Sequence, residues 1–192
     1  VETASYIKGM HNLMGAHFDL LNHEKLAETI KEFEKFARHK LVTQNDNNRI
    51  LTYQYLYTAR INLYFLQGTF NKGLLMVPHL EEMLKEYGLY LDTHRVLIFY
   101  YKIACLYFGS GDNEKAIDYL NRIINQRSDL RSDLQCYTRL LHLIAHYELG
   151  NFDLMEYLIK SVYRYMAKME NLSKVEEEIF AFLRQSGWQL VS

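Results

Sequence analysis

Apolar residues recur along this chain at intervals of three and four, with polar faces between them, and the runs of alternation that mark strands do not occur. The first run, opened by Thr3 or Ser5, predicts a helix to about Leu21 with Tyr6, Met10, Leu13, Met14, Phe18 and Leu21 on one face. Asn22-His23 breaks it. A second helix, Glu24 to about His39, sets Leu26, Ala27, Ile30, Phe33 and Ala37 against a face of alternating Glu and Lys. Val42–Asn48 reads as a loop. An aromatic third helix runs from about Arg49 to Gln67 and stops at Gly68, and a fourth covers Asn71 to Tyr87 with a kink expected near Leu74–Pro78.

Asp92 or Thr93 caps a fifth helix that ends at Phe108–Gly109, and Asn113 to Asn125 forms a sixth, followed by the polar turn Gln126–Asp129. The seventh spans about Leu130 to Leu149 and stops at Gly150, and the eighth takes Asp153 to Met169. Ser173 and Glu176 form a capping box for a ninth, which buries Val175, Ile179, Phe182 and Leu183 and unravels at Ser186-Gly187. The expectation is an all-α chain of antiparallel helix pairs.

The stretch Leu97–Ile124 carries the clearest pattern. Ala104 and Ala116 flank the turn Gly109–Asp112, and small residues there let two helix backbones approach, with Tyr100, Tyr107 and Leu120 filling the space around them. That hairpin resembles the tetratricopeptide repeat (TPR), a helix–turn–helix unit of about 34 residues that stacks into a solenoid. The turn markers Asn22, Gly68, Gly111 and Gly150 lie 46, 43 and 39 residues apart, longer than the usual repeat. The resemblance covers about residues 3–170. It implies a right-handed TPR-like superhelix of about four helix pairs plus a terminal helix, in one domain over 1–192.

The resemblance also implies a function, a protein- or peptide-binding scaffold that uses the concave face built from the first helix of each repeat. By register those positions are Tyr55, Thr58, Asn62 and Phe65, then Ile98, Tyr101, Lys102, Cys105 and Phe108, then Tyr137, Leu140, Ile144 and Tyr147. Tyr and Phe suit such a face because they bring large rigid area with few rotors to freeze. The same aromatics also serve to pack long helices, and both readings stand at this point. One TPR subgroup clamps a peptide carboxylate with Lys and Asn. Asn62 and Lys102 fit two of its positions, but Thr58, Tyr137 and Leu141 do not.

Composition narrows the classes further. Hydrophobic residues make up 49% of 192 residues, enough for a folded core, and the single Pro favours long helices. A net charge of −1 gives no field that favours nucleic acid or an anionic membrane, and neither is expected as a partner. No apolar run reaches the length of a membrane span. Cys105 and Cys136 sit in apolar runs without metal-ligand spacing and read as reduced thiols of a cytoplasmic protein. A chain that begins at Val1 reads as a piece of a longer protein.

Candidate chemistry is sparse. His142 and His146 share a helix face but have no third ligand in the pattern, so they read as core or groove histidines and no metal is expected. No nucleophile elbow, phosphate loop or calcium loop occurs, so no cofactor and no catalysis are expected. Arg60, Asn62, Lys102 and Arg139 lie within apolar first helices, and each must reach water, an internal acid or an acidic ligand. The ninth helix and the apolar tail Trp188, Leu190 and Val191 suggest a homodimer contact. Two other roles fit the same pattern: a structural or oligomerisation domain with a self-occupied groove, and a regulatory sensor that closes on a peptide.

Overall fold

The computed structural model describes residues 2–88, 90–126, 132–169 and 174–190, without the side chains of 175, 184 and 186–190. Among these residues the chain is all-α. Its eleven helices are α1 (Glu2–Asp19), α2 (His23–Ala37), α3 (Lys40–Thr43), α4 (Asp46–Gln67), α5 (Phe70–Leu74), α6 (Val77–Tyr87), α7 (Thr93–Ser110), α8 (Asn113–Ile124), α9 (Ser132–Glu148), α10 (Phe152–Lys168) and α11 (Lys174–Leu190). The Ser173 cap, the turn at residues 127–129 and the tail residue Val191 lie outside the described residues, as do the side chains of Trp188 and Leu190.

Four helices end in one and the same way. Leu21, Gly68, Gly111 and Gly150 each take a left-handed conformation, with φ of 55°, 61°, 87° and 73°. In each case the next residue's N–H reaches the carbonyl five residues back: Asn22 to His17 at 2.9 Å, Thr69 to Tyr64 at 3.1 Å, Asp112 to Tyr107 at 3.0 Å and Asn151 to His146 at 3.1 Å. The left-handed residue bonds to the carbonyl three back, which completes a Schellman closure and satisfies carbonyls the helix end would leave open. Gly adopts that conformation without a Cβ clash, whereas Leu21 bears one. The marker at the first turn is therefore Leu21, because Asn22 is engaged elsewhere. Its Oδ1 accepts from the Lys25 N–H at 3.1 Å and caps α2.

Other boundaries also moved, each for a local reason. The expected loop at Val42–Asn48 is partly helical, since α3 reaches Thr43 and Asn45 caps α4 by accepting from Asn48 N–H at 2.9 Å. The Asn48 side chain donates back to the Leu41 carbonyl at 2.9 Å, which fastens α3 onto α4. Pro78 does not kink one helix. It sits at the start of α6, where a missing N–H leaves no bond unmade, and the chain divides into α5 and α6 before it. The backbone of α11 stays helical through Ser186-Gly187 to Leu190.

The contacts group residues 1–91 and 92–192 into two compact units. In the first, Ile7, Met10 and Met14 of α1, Leu26, Ile30 and Phe33 of α2, and Tyr55, Leu56 and Ala59 of α4 form one apolar cluster. The α1 stripe is centred on Ile7, and Tyr6 and Leu13 lie at its margins, 39% and 44% exposed. The Tyr6 ring packs against Phe36 at 4.5 Å, and its hydroxyl approaches Glu32 at 3.4 Å.

In the second unit each helix packs on the next, α7 on α8, α8 on α9, α9 on α10 and α10 on α11. Ala104 and Ala116 are both fully buried, as the close-approach reading expects. Tyr119 lies 6.1 Å from Tyr100 and 5.6 Å from Tyr107, and the Arg122 guanidinium covers the Tyr119 ring at 4.3 Å. Buried Gln135 of α9 donates from Nε2 to the Ile123 carbonyl at 3.0 Å, tying α9 to the C-terminal end of α8. Toward the end of the unit, Cys136, Leu140, Leu143, Met155, Ile159, Val162, Met166, Phe180 and Leu183 make a second core. On α11 the inward aromatic is Phe180, at 0% exposed, and Phe182 faces outward at 59%. Of the expected stripe, Leu183 is buried and Ile179 packs against this core, while Phe182 gives way to Phe180, whose ring meets Tyr163 edge-on at 5.5 Å.

Candidate functional site

The positions implied for a binding face divide by exposure. On α4, Tyr55 is 5% exposed and stacks on His11 of α1 with ring centroids 3.9 Å apart, so it belongs to the core of the first unit. The Thr58 hydroxyl donates to the Gln54 carbonyl at 2.9 Å, a bond that turns it toward its own helix. Asn62 and Phe65 are half-buried, and Phe65 lies against Phe70 at 6.3 Å. The first-unit group is mostly packed.

The second unit gathers more of them. Ile98 and Tyr101 pack beside the cluster of Leu97, Ile123 and Leu134, and Lys102, Cys105 and Phe108 follow along α7, all half-buried. The Tyr101 hydroxyl and the Cys105 thiol lie close enough to act on each other's ionisation. Burial, with Cys105 and Tyr137 adding to it, holds the Tyr101 hydroxyl well above the ordinary phenol range. Burial likewise lifts the Cys105 thiol to about 11 and pulls the Lys102 ammonium below its usual value. Tyr137, on α9, is 48% exposed and near enough to Tyr101 to act on its charge. Leu140 is buried in the α9–α11 core, and Ile144 and Tyr147 pack against that core from its margin.

The charges embedded in first helices resolve differently from one another. Arg60 of α4 reaches an internal acid: its Nε and Nη2 donate to Glu34 Oε1 of α2 at 2.9 and 2.6 Å. Arg139 of α9 lies over the Tyr165 ring of α10 at 4.3 Å, with its Nε buried and without a hydrogen-bond partner. His142 and His146 meet edge-on at 4.5 Å. Burial first, then His146 and Arg139, push His142 down to about 4, so it is neutral at physiological pH. Asn151 Nδ2 lies 3.0 Å from His146 Nδ1, and burial lowers His146 as well. Among the described residues no group of three or more His, Cys, Asp or Glu side chains is placed to hold a metal ion.

One feature takes in only two of the positions implied by the sequence, Ile144 and Tyr147. A hollow of about 360 Å³ opens between α9 and α11, lined by Ile144, Tyr147, Glu148, Glu178, Ile179, Phe182 and Leu183. Phe182, which the periodicity of α11 assigns to the buried stripe, is instead 59% exposed beside it.

These observations define an all-α protein whose successive helices pack on one another, four of them with a common closure, and whose α7 and α9 carry partly buried aromatic side chains. Comparison with protein-family models, with curated proteins and with solved structures returned no match to this chain. Among the described residues no helix is long and apolar enough to cross a membrane.

Proposed function

We propose that this chain is a TPR-like helical-repeat scaffold that binds a peptide or protein segment along α7 and α9, in the cytoplasm and without catalysis of its own. The observation that carries the reading is the grouping of Tyr101, Cys105 and half-exposed Tyr137 on the first helices of two successive hairpins. The common Schellman closure of four hairpins supports a repeat architecture, because one local geometry is used where the surrounding sequence differs. The free thiols of Cys105 and Cys136 fit a reducing compartment.

A peptide segment gains from this surface by covering aromatic area that is already held in place, so little side-chain freedom is lost on binding. The test is selection of peptides from a random display library with the full chain as bait. Tyr137→Ala is expected to weaken a selected peptide roughly tenfold, the loss typical of an aromatic anchor. Circular dichroism should be unchanged, since nearly half of that side chain is in solvent. Failure to select any peptide that Tyr137→Ala weakens would remove the Tyr101–Tyr137 face of α7 and α9 as the binding face.

A further inference from the structure

We infer that the hollow between α9 and α11 is a second docking site, for a protein segment with an apolar anchor side chain flanked by Lys or Arg. Its lining is mainly apolar and aromatic: Leu183 is 3% exposed, Ile144 and Ile179 add aliphatic area, and Tyr147 meets Phe182 edge-on at 6.4 Å. Phe182 is 59% exposed on a helix that has a buried aromatic two positions earlier, so its area is left for something else to cover. A volume of about 360 Å³ lies at the small end of ligand sites, which run from ~300 to ~1,000 Å³. It suits one or two anchor side chains, and it lacks the several convergent polar groups that would orient a metabolite.

Charge selects the occupant. Among the described residues the charged side chains lining the hollow are Glu148 and Glu178, both exposed, and the lining holds no Lys or Arg. Glu148 is also the last residue of α9. Helix carbonyls carry partial negative charge at that end, so a carboxylate there is disfavoured rather than helped by its own helix. A cation delivered by a partner would offset that repulsion and neutralise Glu178 across the hollow, while an acidic segment would meet two like charges. The site shares Ile144 and Tyr147 with the positions implied on α9, but it does not depend on binding at Tyr101 and Tyr137.

The test is a random peptide-display selection against the full chain in parallel with the Glu148→Gln/Glu178→Gln double variant, followed by fluorescence anisotropy of the enriched peptide. The expected result is enrichment of an apolar anchor next to Lys or Arg with the parent bait alone. The enriched peptide should bind about fivefold more weakly to the double variant, about tenfold more weakly to Phe182→Ala, and unchanged to Tyr137→Ala. The two Gln changes are on exposed side chains and keep the question answerable if Phe182→Ala unfolds α11. Enrichment without basic bias, or equal affinity for parent and double variant, overturns the proposal. So does self-association by light scattering that Phe182→Ala abolishes, which would mean a second copy of the chain fills the hollow. Binding lost in Tyr137→Ala but kept in the Glu variants would assign the peptide to the α7–α9 face and overturn this site alone.

Discussion

The Arg60–Glu34 contact decides whether a charge inside an apolar helix is structural or waits for a ligand. Two N–H groups of Arg60 converge on one oxygen of Glu34, at 2.9 and 2.6 Å, with the side chains 33% and 30% exposed. At such separations and an effective dielectric near 20 the gross attraction is on the order of 4–5 kcal/mol. Removing water from both ions and fixing two long side chains cancels most of it, and partly exposed pairs retain about 1 kcal/mol. Glu34→Gln should cost about 1–2 kcal/mol, because a half-buried guanidinium then faces a weaker acceptor. With an m-value of about 2 kcal/mol per molar urea, the midpoint moves down by about 0.5–1 M. A double-mutant cycle with Arg60→Met should return a coupling of about 1 kcal/mol that shrinks with added salt. A coupling indistinguishable from zero would refute the argument and return Arg60 to the candidates for ligand contact.

Other expectations follow from the same geometry. The His142 pKa is lowered from 6.5 to about 4, so its neutral form is favoured by the fold. That contribution is complete above pH 6.5 and is lost as pH falls toward 4, where the unfolded state binds the extra proton. Allowing for partial solvent access it is on the order of 1–2 kcal/mol, and His142→Gln should flatten urea midpoints between pH 6.5 and 4; an unchanged slope would be the contrary result. Ala116→Leu forces a larger side chain into a fully buried position and should cost about 1–3 kcal/mol by thermal unfolding. Gly111→Ala meets no atom within 4 Å but keeps φ at 87°, so about 1 kcal/mol of loss there would be a backbone effect alone. Cys105, lifted to about 11, should react with a disulfide reagent at pH 8 about a hundredfold more slowly folded than in denaturant.

The helices were legible because capping and closure are local. Asn22, Asp92 and Asp112 each accept a backbone N–H within three residues, and Gly68, Gly111 and Gly150 end helices through bonds five residues long. Where the reading slipped, one residue type had two uses. Asn suits both a left-handed stop and an N-cap, and at position 22 the cap prevailed and left the stop to Leu21. The string VTQNDNN looks like a loop by composition, yet Asn45 and Asn48 use their amides to start α4 and fasten α3. Binding positions were harder to read, since exposure is set by what another segment covers. Tyr55 lies under His11, from 44 residues earlier, and nothing in the periodicity of α4 announces that. The hollow was invisible for the same reason: it belongs to α9 and α11 together and to neither alone.

The four helix closures carry a consequence for the order in which the chain folds. Each is a short-range event, of the kind that lets helical proteins fold in microseconds to milliseconds. Three of them need a glycine to enter a region it visits freely, and the fourth needs Leu21 to enter a region that costs a leucine about 1–2 kcal/mol. Before any core exists to hold it there, the first turn is therefore populated about tenfold less often than the others. The α7–α8 hairpin, with a glycine stop and two alanines at its waist, is the expected early nucleus. The α1–α2 hairpin is expected to close late, on an α4 already formed, so refolding probed through the first unit should lag refolding probed through the second.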